Sequence, residues 1–223
     1  MMILAHRGWW HAPHERNTLA AFDKAFAAGH GVELDVRDLN GALVISHDLP
    51  ATGALPFERV LECYAAHGAP GRLAINIKAD GLCSALVPLL ARYGVMNRAF
   101  VFDASVPDLR PYLETALPVF TRFSEVERYP AFYERCQGVW VDSFTEAPAS
   151  IERAIDDLAR GKFVAMVSPE LHKRPQEAAW AEWSAALRRA AMGGLPLERL
   201  MLCTDLPDSA QQRFAWMHQE EVQ

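Results

Sequence analysis

Two runs near the start of the chain hold most of its residue types that move protons or bind hard cations: "ILAHRGWWHAPHERNTLAAF" and "VELDVRDLNGALVISHD". The first ends an apolar segment on His6-Arg7-Gly8. The second places Glu33 and Asp35 at i and i+2 and ends on His47-Asp48. Side chains alternate along an extended chain, so Glu33 and Asp35 share one side, with Val32, Leu34 and Val36 on the other. Asn76 and Lys78 alternate with Ile75 and Ile77 in the same way. Two carboxylates on one side repel unless a cation lies between them, and hard oxygen ligands of this kind suit Mg2+ or Ca2+. The spacing equally suits a buried ion pair of Glu33 with Lys78 or Arg7. Imidazole titrates near neutral pH, so His6 and His47 beside such a pair make an acid–base couple. A single His at a strand end is more commonly a hydrogen-bonded structural group. His11 and His14 fall in a loop within reach of a substrate, and Gly8 allows close approach of backbone to a ligand. Trp9 and Trp10 suit either a pocket wall or core packing.

Positioning these groups falls to short β-rich runs that alternate with amphipathic helical stretches. Extended runs are expected at 3–5, 32–37, 73–78, 99–102, 118–123, 139–142, 162–167 and 199–203, and helices at 18–28, 57–66, 84–93, 125–136, 150–160, 176–191 and 208–218, with a short one after Pro107. Asn17 is the expected N-cap of the first helix, and Pro130 breaks the 125–136 stretch. The 42–46 piece is a hairpin partner for 32–37, with Asn40-Gly41 as its turn. Repeated βα units imply parallel strands with right-handed crossovers, so the expected fold is an α/β (β/α)8 TIM barrel, with a doubly wound open sheet as the alternative. Chemistry on such a barrel sits where strands end. Those ends read His6-Arg7-Gly8, Glu33 and Asp35, Asn76 and Lys78, Asp103, Arg122, Asp142, Ser168 and Glu170, and Asp205.

The 223 residues suffice for one sizeable core, and residues 1–223 are read as a single barrel domain. Net charge is −6 with no basic tract, which argues against nucleic-acid binding and leaves any phosphate to a few local cations. Cys63, Cys83, Cys136 and Cys203 form no CxxC or zinc-type spacing, so buried free thiols in a reducing compartment are expected. No apolar run reaches the roughly 18 residues of a membrane span, and no secretory leader pattern precedes His6. The expected location is cytoplasmic.

The ordered set "AHRG…NTLAAFDKAFAAG…VELDVR…NGALVISHD" resembles the opening of the glycerophosphodiester phosphodiesterase family, whose pattern is HRG, ENT, ExD, DG, HD and then a strand reading NIEIK. The resemblance is dense through Lys78 and thinner beyond it. It implies a TIM barrel of the PLC-like phosphodiesterase type, a divalent metal (Mg2+ or Ca2+) and hydrolysis of a small-molecule phosphodiester. By the same resemblance, His6 and His47 are the catalytic imidazoles. Arg7 and Lys78 hold the phosphate, and Glu33 and Asp35 are metal ligands. Two departures stand out. Glu15-Arg16-Asn17-Thr18 replaces ENT, and Asn76, in "LAINIKAD", replaces the third ligand Glu. An Asn carbonyl still ligates a hard cation but brings no charge, which weakens binding. Asp80 shares the parity of Asn76 and is a candidate substitute. The alternatives are a phosphate-ligand binder that has lost its metal, or an unrelated barrel enzyme such as a sugar-phosphate isomerase.

Overall fold

The computed structural model describes residues 1–145 and 148–218. Its chain order is β1 (Met2–His6), α1 (Leu19–Ala27), β2 (Gly31–Leu39), β3 (Ala42–Ile45), β4 (Leu55–Pro56), α2 (Phe57–Ala66), β5 (Leu73–Ile77), α3 (Cys83–Arg92), β6 (Ala99–Phe102), α4 (Val106–Leu113), β7 (Phe120–Phe123), β8 (Gly138–Val141), α5 (Ile151–Ala159), β9 (Phe163–Val167), α6 (Glu177–Met192), β10 (Leu200–Thr204) and α7 (Pro207–Arg213). The parallel strands follow one another in space as β1, β2, β5, β6, β7, β8, β9 and β10, and β10 returns to β1 with Met2 opposite Met201. This is the (β/α)8 barrel expected from the alternation. Its thinnest seam lies between β6 and β7. There the link is a parallel bridge, Val101 to Val119, with the Val101 N–H donating to Pro118 O at 3.0 Å.

Strand β2 runs past its expected end because its last residues pair with the antiparallel β3, Val36 opposite Ile45 through Leu39 opposite Ala42. Asn40 and Gly41 both have positive φ (51° and 81°), the pattern of the tight hairpin turn that the Asn-Gly pair predicts. One expected helix is absent: residues 125–136 form turns. Pro130 lacks the N–H a helix interior needs and pushes its predecessor out of helical conformation. Phe132 then takes a left-handed φ of 54°.

Apolar side chains divide into layers by the strand parity. Val32, Leu34, Val36, Ile75 and Ile77 pack outward with Phe22, Phe26 and Tyr64 of α1 and α2. A second outer cluster joins β8, β9 and β10 to α5, α6 and α7, centred on Trp180 and Trp183. Inside the barrel, Leu4, Ala74, Phe100, Phe102, Phe120, Trp140 and Met201 fill the axis. Phe100 stacks on Phe120 with centroids 3.8 Å apart, and Phe102 on Trp140 at 3.9 Å. Gly138 is required there, because a Cβ would lie 2.4 Å from the Phe120 ring. This plug is a packed core rather than a pore, so polar inward residues find room only above it, at the C-terminal ends of the strands.

Candidate active site

The turn after β1 sets the first part of the site. Arg7 and Gly8 both have positive φ (57° and 86°), and the Arg7 N–H donates to Glu33 O at 2.9 Å. The sequence suggests that Gly8 admits a ligand; instead it admits helix α1. A Cβ at Gly8 would sit 2.8 Å from both the carbonyl carbon and the Cβ of Ala21. Asn17, expected to cap α1, has a φ of 58° and does another job: Thr18 is the N-cap, its Oγ1 accepting from the Ala21 N–H at 3.3 Å. The Asn17 side chain is thereby free to donate from Nδ2 to Asp35 Oδ2 at 2.8 Å. Asp35 is fully buried and also meets Arg7 Nε at 3.0 Å and Lys78 Nζ at 3.3 Å. The buried ion pair considered for Glu33 with Arg7 or Lys78 therefore forms on Asp35.

Glu33 lies two residues before Asp35 on the same side of β2 and has weaker partners. Asn76 Nδ2 donates to its Oε1 at 3.2 Å, and His6 Nε2 is 3.8 Å from its Oε2. Burial pushes the Glu33 carboxyl up to about 7, the Asp35 charge adding to the rise and His6, Arg7 and Lys78 opposing it. The other nitrogen of His6, Nδ1, lies 2.7 Å from Asp205 Oδ1 at the end of β10. Asp205 is steadied by Arg16, whose Nη2 donates to Oδ2 at 3.5 Å and whose guanidinium lies 4.0 Å from the Trp10 ring centroid. The Asp205 N–H in turn donates to Glu170 Oε1 at 3.1 Å. Asp205 was visible only as a polar strand end; its partner is 199 residues away and the pairing exists because β10 closes on β1.

A cavity of about 160 Å3 opens at this end, lined by His6, Arg7, Glu33 and Asn76 on one side and by Asp103, Trp140, Asp142 and His172 on the other. His172 Nε2 lies 2.7 Å from Asp142 Oδ1, and its ring meets Phe144 edge-on at 5.4 Å. Arg122 pairs with Asp103 at the rim. His172 has no motif around it in the sequence; only its position just after a strand marks it. A larger cavity, about 650 Å3, opens at the opposite end beside Met2, His30, Gly71 and Leu197, with no comparable convergence of acids and bases.

His6, Arg7, Glu33, Asp35, Asn76 and Lys78 thus come together. His47 stands apart from them: its half-exposed ring bonds to Asp48 through Nδ1 at 2.9 Å, beyond the hairpin, and it does not line the cavity. Asp80 accepts from Ser105 Oγ at 3.0 Å in front of α4 and does not line the cavity. Glu15 accepts from the His11 and Ala12 N–H groups and shapes the loop, while His11 Nε2 contacts Lys24 at 2.6 Å. Trp9 packs against His30 at 5.8 Å with Lys24 over its face, on the outer core.

Three buried oxygens bear on metal binding. Glu33 Oε2, Asp35 Oδ1 and Asn76 Oδ1 accept no hydrogen bond, although Asp35 Oδ1 faces Lys78. Buried oxygens are rarely left so. The carboxylates Glu33, Asp35, Asp103, Asp142 and Asp205 also outnumber the nearby cations Arg7, Arg16, Lys78 and Arg122, a balance that favours added positive charge. The donor set fits a hard divalent ion.

No protein-family model matches the sequence, and no curated protein matches it. Solved structures do. A glycerophosphodiester phosphodiesterase from Parabacteroides distasonis aligns over 99% of this chain and 98% of its own, at 17% identity and a TM-score of 0.65. Another from Agrobacterium tumefaciens aligns over 96% and 99%, at 19% identity and a TM-score of 0.59. A dihydropteroate synthase from Xanthomonas albilineans aligns over 100% and 92%, at 13% identity and a TM-score of 0.52. At these identities the likeness establishes the barrel fold, and the chemistry must be argued from the side chains. Among the described residues, no helix is long and apolar enough to cross a membrane.

Proposed function

We propose that this chain is a metal-dependent phosphodiesterase that hydrolyses a glycerophosphodiester or a similar small alcohol phosphodiester. The observation that carries this reading is the trio of buried oxygens on Glu33, Asp35 and Asn76, with no hydrogen bond to Glu33 Oε2 or Asn76 Oδ1 and only the Lys78 ion pair on Asp35 Oδ1, beside a His6 ring anchored through Nδ1. Glu33, Asp35 and Asn76 would hold Mg2+ or Ca2+, which supplies Lewis-acid polarisation of the phosphoryl oxygens when bound. Arg7 and Lys78 give charge-assisted hydrogen bonds to those oxygens. Asp205 fixes the His6 tautomer, leaving Nε2 as the atom that takes or gives a proton at the substrate. His47, carried over from the family resemblance, handles the second proton. The cavity of about 160 Å3 is below the usual range for whole ligands, roughly 300 Å3 upward, so it takes the phosphodiester group and leaves the alcohols toward solvent. The chain would act in the cytoplasm.

One observation favours a different second imidazole: His172, not His47, lines the cavity. Another favours a non-catalytic phosphate-ligand binder, since Asn76 already donates to Glu33. Turnover of a glycerophosphodiester panel, with Mg2+, with Ca2+ and after chelation, separates these readings. Metal-dependent hydrolysis is expected, together with loss of turnover in His6→Ala and in His47→Ala but not in His172→Ala. The reverse order for the last two moves the second role to His172. Binding without turnover replaces the enzyme with the binder.

A further inference from the structure

Away from the barrel mouth, three side chains of metal-ligand type meet on the outer face of α1 and α2. Cys63 and His67 are four residues apart, so they share one face of α2 and its C-terminal cap. Asp23 faces them from α1. Its Oδ1 lies 2.9 Å from His67 Nε2 and 3.5 Å from Cys63 Sγ. The candidate ligand atoms of the three all lie within 4.8 Å of one another, and no other trio of His, Cys, Asp or Glu atoms does so among the described residues. We propose that Asp23, Cys63 and His67 form a binding site for a borderline-soft divalent cation of the Zn2+ class, with water as the fourth ligand.

The geometry is close to what such an ion needs. Bonds of about 2.0 to 2.3 Å in a tetrahedron hold ligand atoms roughly 3.3 to 3.7 Å apart. The sulfur–oxygen separation is already there, and the nitrogen–oxygen separation needs to open by about half an ångström. Mixed sulfur, nitrogen and oxygen donors select Zn2+ over the Mg2+ or Ca2+ suited to the mouth. One thiolate and one carboxylate balance a double positive charge. The supporting elements are ordered: the His67 N–H bonds back to Cys63 O at 3.3 Å, Gly68 ends the helix with a φ of 76°, and the Phe26 ring flanks His67 at 6.4 Å. Asp23 is exposed and His67 partly so, which leaves an entry path and room for the water.

In the metal-free protein, burial and Asp23 push the Cys63 thiol up to about 11, so it stays protonated and donates to Asp23. On binding, the S–H bond breaks, its proton leaves to solvent and the sulfur electron pair goes to the metal. His67 binds as neutral imidazole through Nε2.

The test uses the full chain, stripped with chelator and titrated with Co2+ and then Zn2+. One equivalent of Co2+ should give a near-ultraviolet thiolate-to-cobalt charge-transfer band that Zn2+ discharges. The band should persist in Glu33→Gln, vanish in Cys63→Ser, and need at least about ten-fold more metal in His67→Ala and Asp23→Asn. Zn2+ should also raise the Tm of the parent chain and leave that of Cys63→Ser unchanged. Absence of the band, or a band that survives Cys63→Ser, overturns the proposal. Should Cys63→Ser fail to fold, Asp23→Asn at its exposed position takes its place, and a band that forms there at the Co2+ concentration of the parent chain overturns the proposal.

Discussion

Asp35 on β2 and Asp142 after β8 are both buried carboxylates at the barrel mouth, yet their surroundings differ. On the side built from β1, β2 and β5, one oxygen each of Glu33, Asp35 and Asn76 is buried and accepts no hydrogen bond. On the side built from β8, β9 and β10, Asp142, Glu170 and Asp205 have no such oxygen left. Asp142 takes His172 and the Ser143 N–H, and Glu170 takes Ser168, Thr204 and the Asp205 N–H. Burial raises the Glu170 carboxyl, and these donors oppose the rise. One side meets its acids with donors of the chain itself; the other keeps buried oxygens that, under the proposed function, a cation would take. Similar residue types thus stand in two settings, bonded to imidazoles on one side and, on the other, left with the oxygens that the proposed function assigns to a cation.

Substitutions sharpen that contrast in order of expected size. His6→Ala should lower kcat by about 10²- to 10⁴-fold with an unchanged unfolding midpoint, because it removes the one imidazole tied to both sides. Asp35→Asn should destabilise the fold by about 3 kcal/mol in denaturant unfolding, since Arg7 and Lys78 lose a shared, fully buried partner. Glu33→Gln should do the opposite in metal-free protein. With its carboxyl at about 7 folded against about 4.5 unfolded, Glu33 costs no stability below pH 4.5 and a growing amount from there to pH 7. Above pH 7 that cost is on the order of 3 kcal/mol. The free energy of unfolding across that window should fall with pH in the parent chain and lie flat in the variant. Asn76→Glu should tighten Mg2+ or Ca2+ binding by about ten-fold, and Asp142→Asn should leave it unchanged.

The side that meets its acids with its own donors was the harder one to read from sequence. Glu33, Asp35, Asn76 and Lys78 lie on regular strands, where a period of two assigns the inward face without knowledge of the fold. HRG and the Asn40-Gly41 turn are similarly local. Asp205 and His172 acquire their roles through closure of the ring and through a turn after β9, and neither is encoded by nearby spacing. His47 shows the limit of parity: past Ile45, the last paired residue of β3, alternation no longer assigns a face, and the ring turns to Asp48. Residues 125–136 carry helical spacing, while Pro130 among them does not suit a helix interior. The chain resolved that conflict in favour of turns.

The most direct test is calorimetric titration of the full chain with Mg2+ and with Ca2+, paired with hydrolysis of a glycerophosphodiester under the same conditions. A binding event is expected that is lost in Glu33→Gln and in Asp35→Asn, retained in Cys63→Ser, and required for turnover. Hydrolysis at full rate after chelation, or metal uptake indifferent to Glu33 and Asp35, would contradict it.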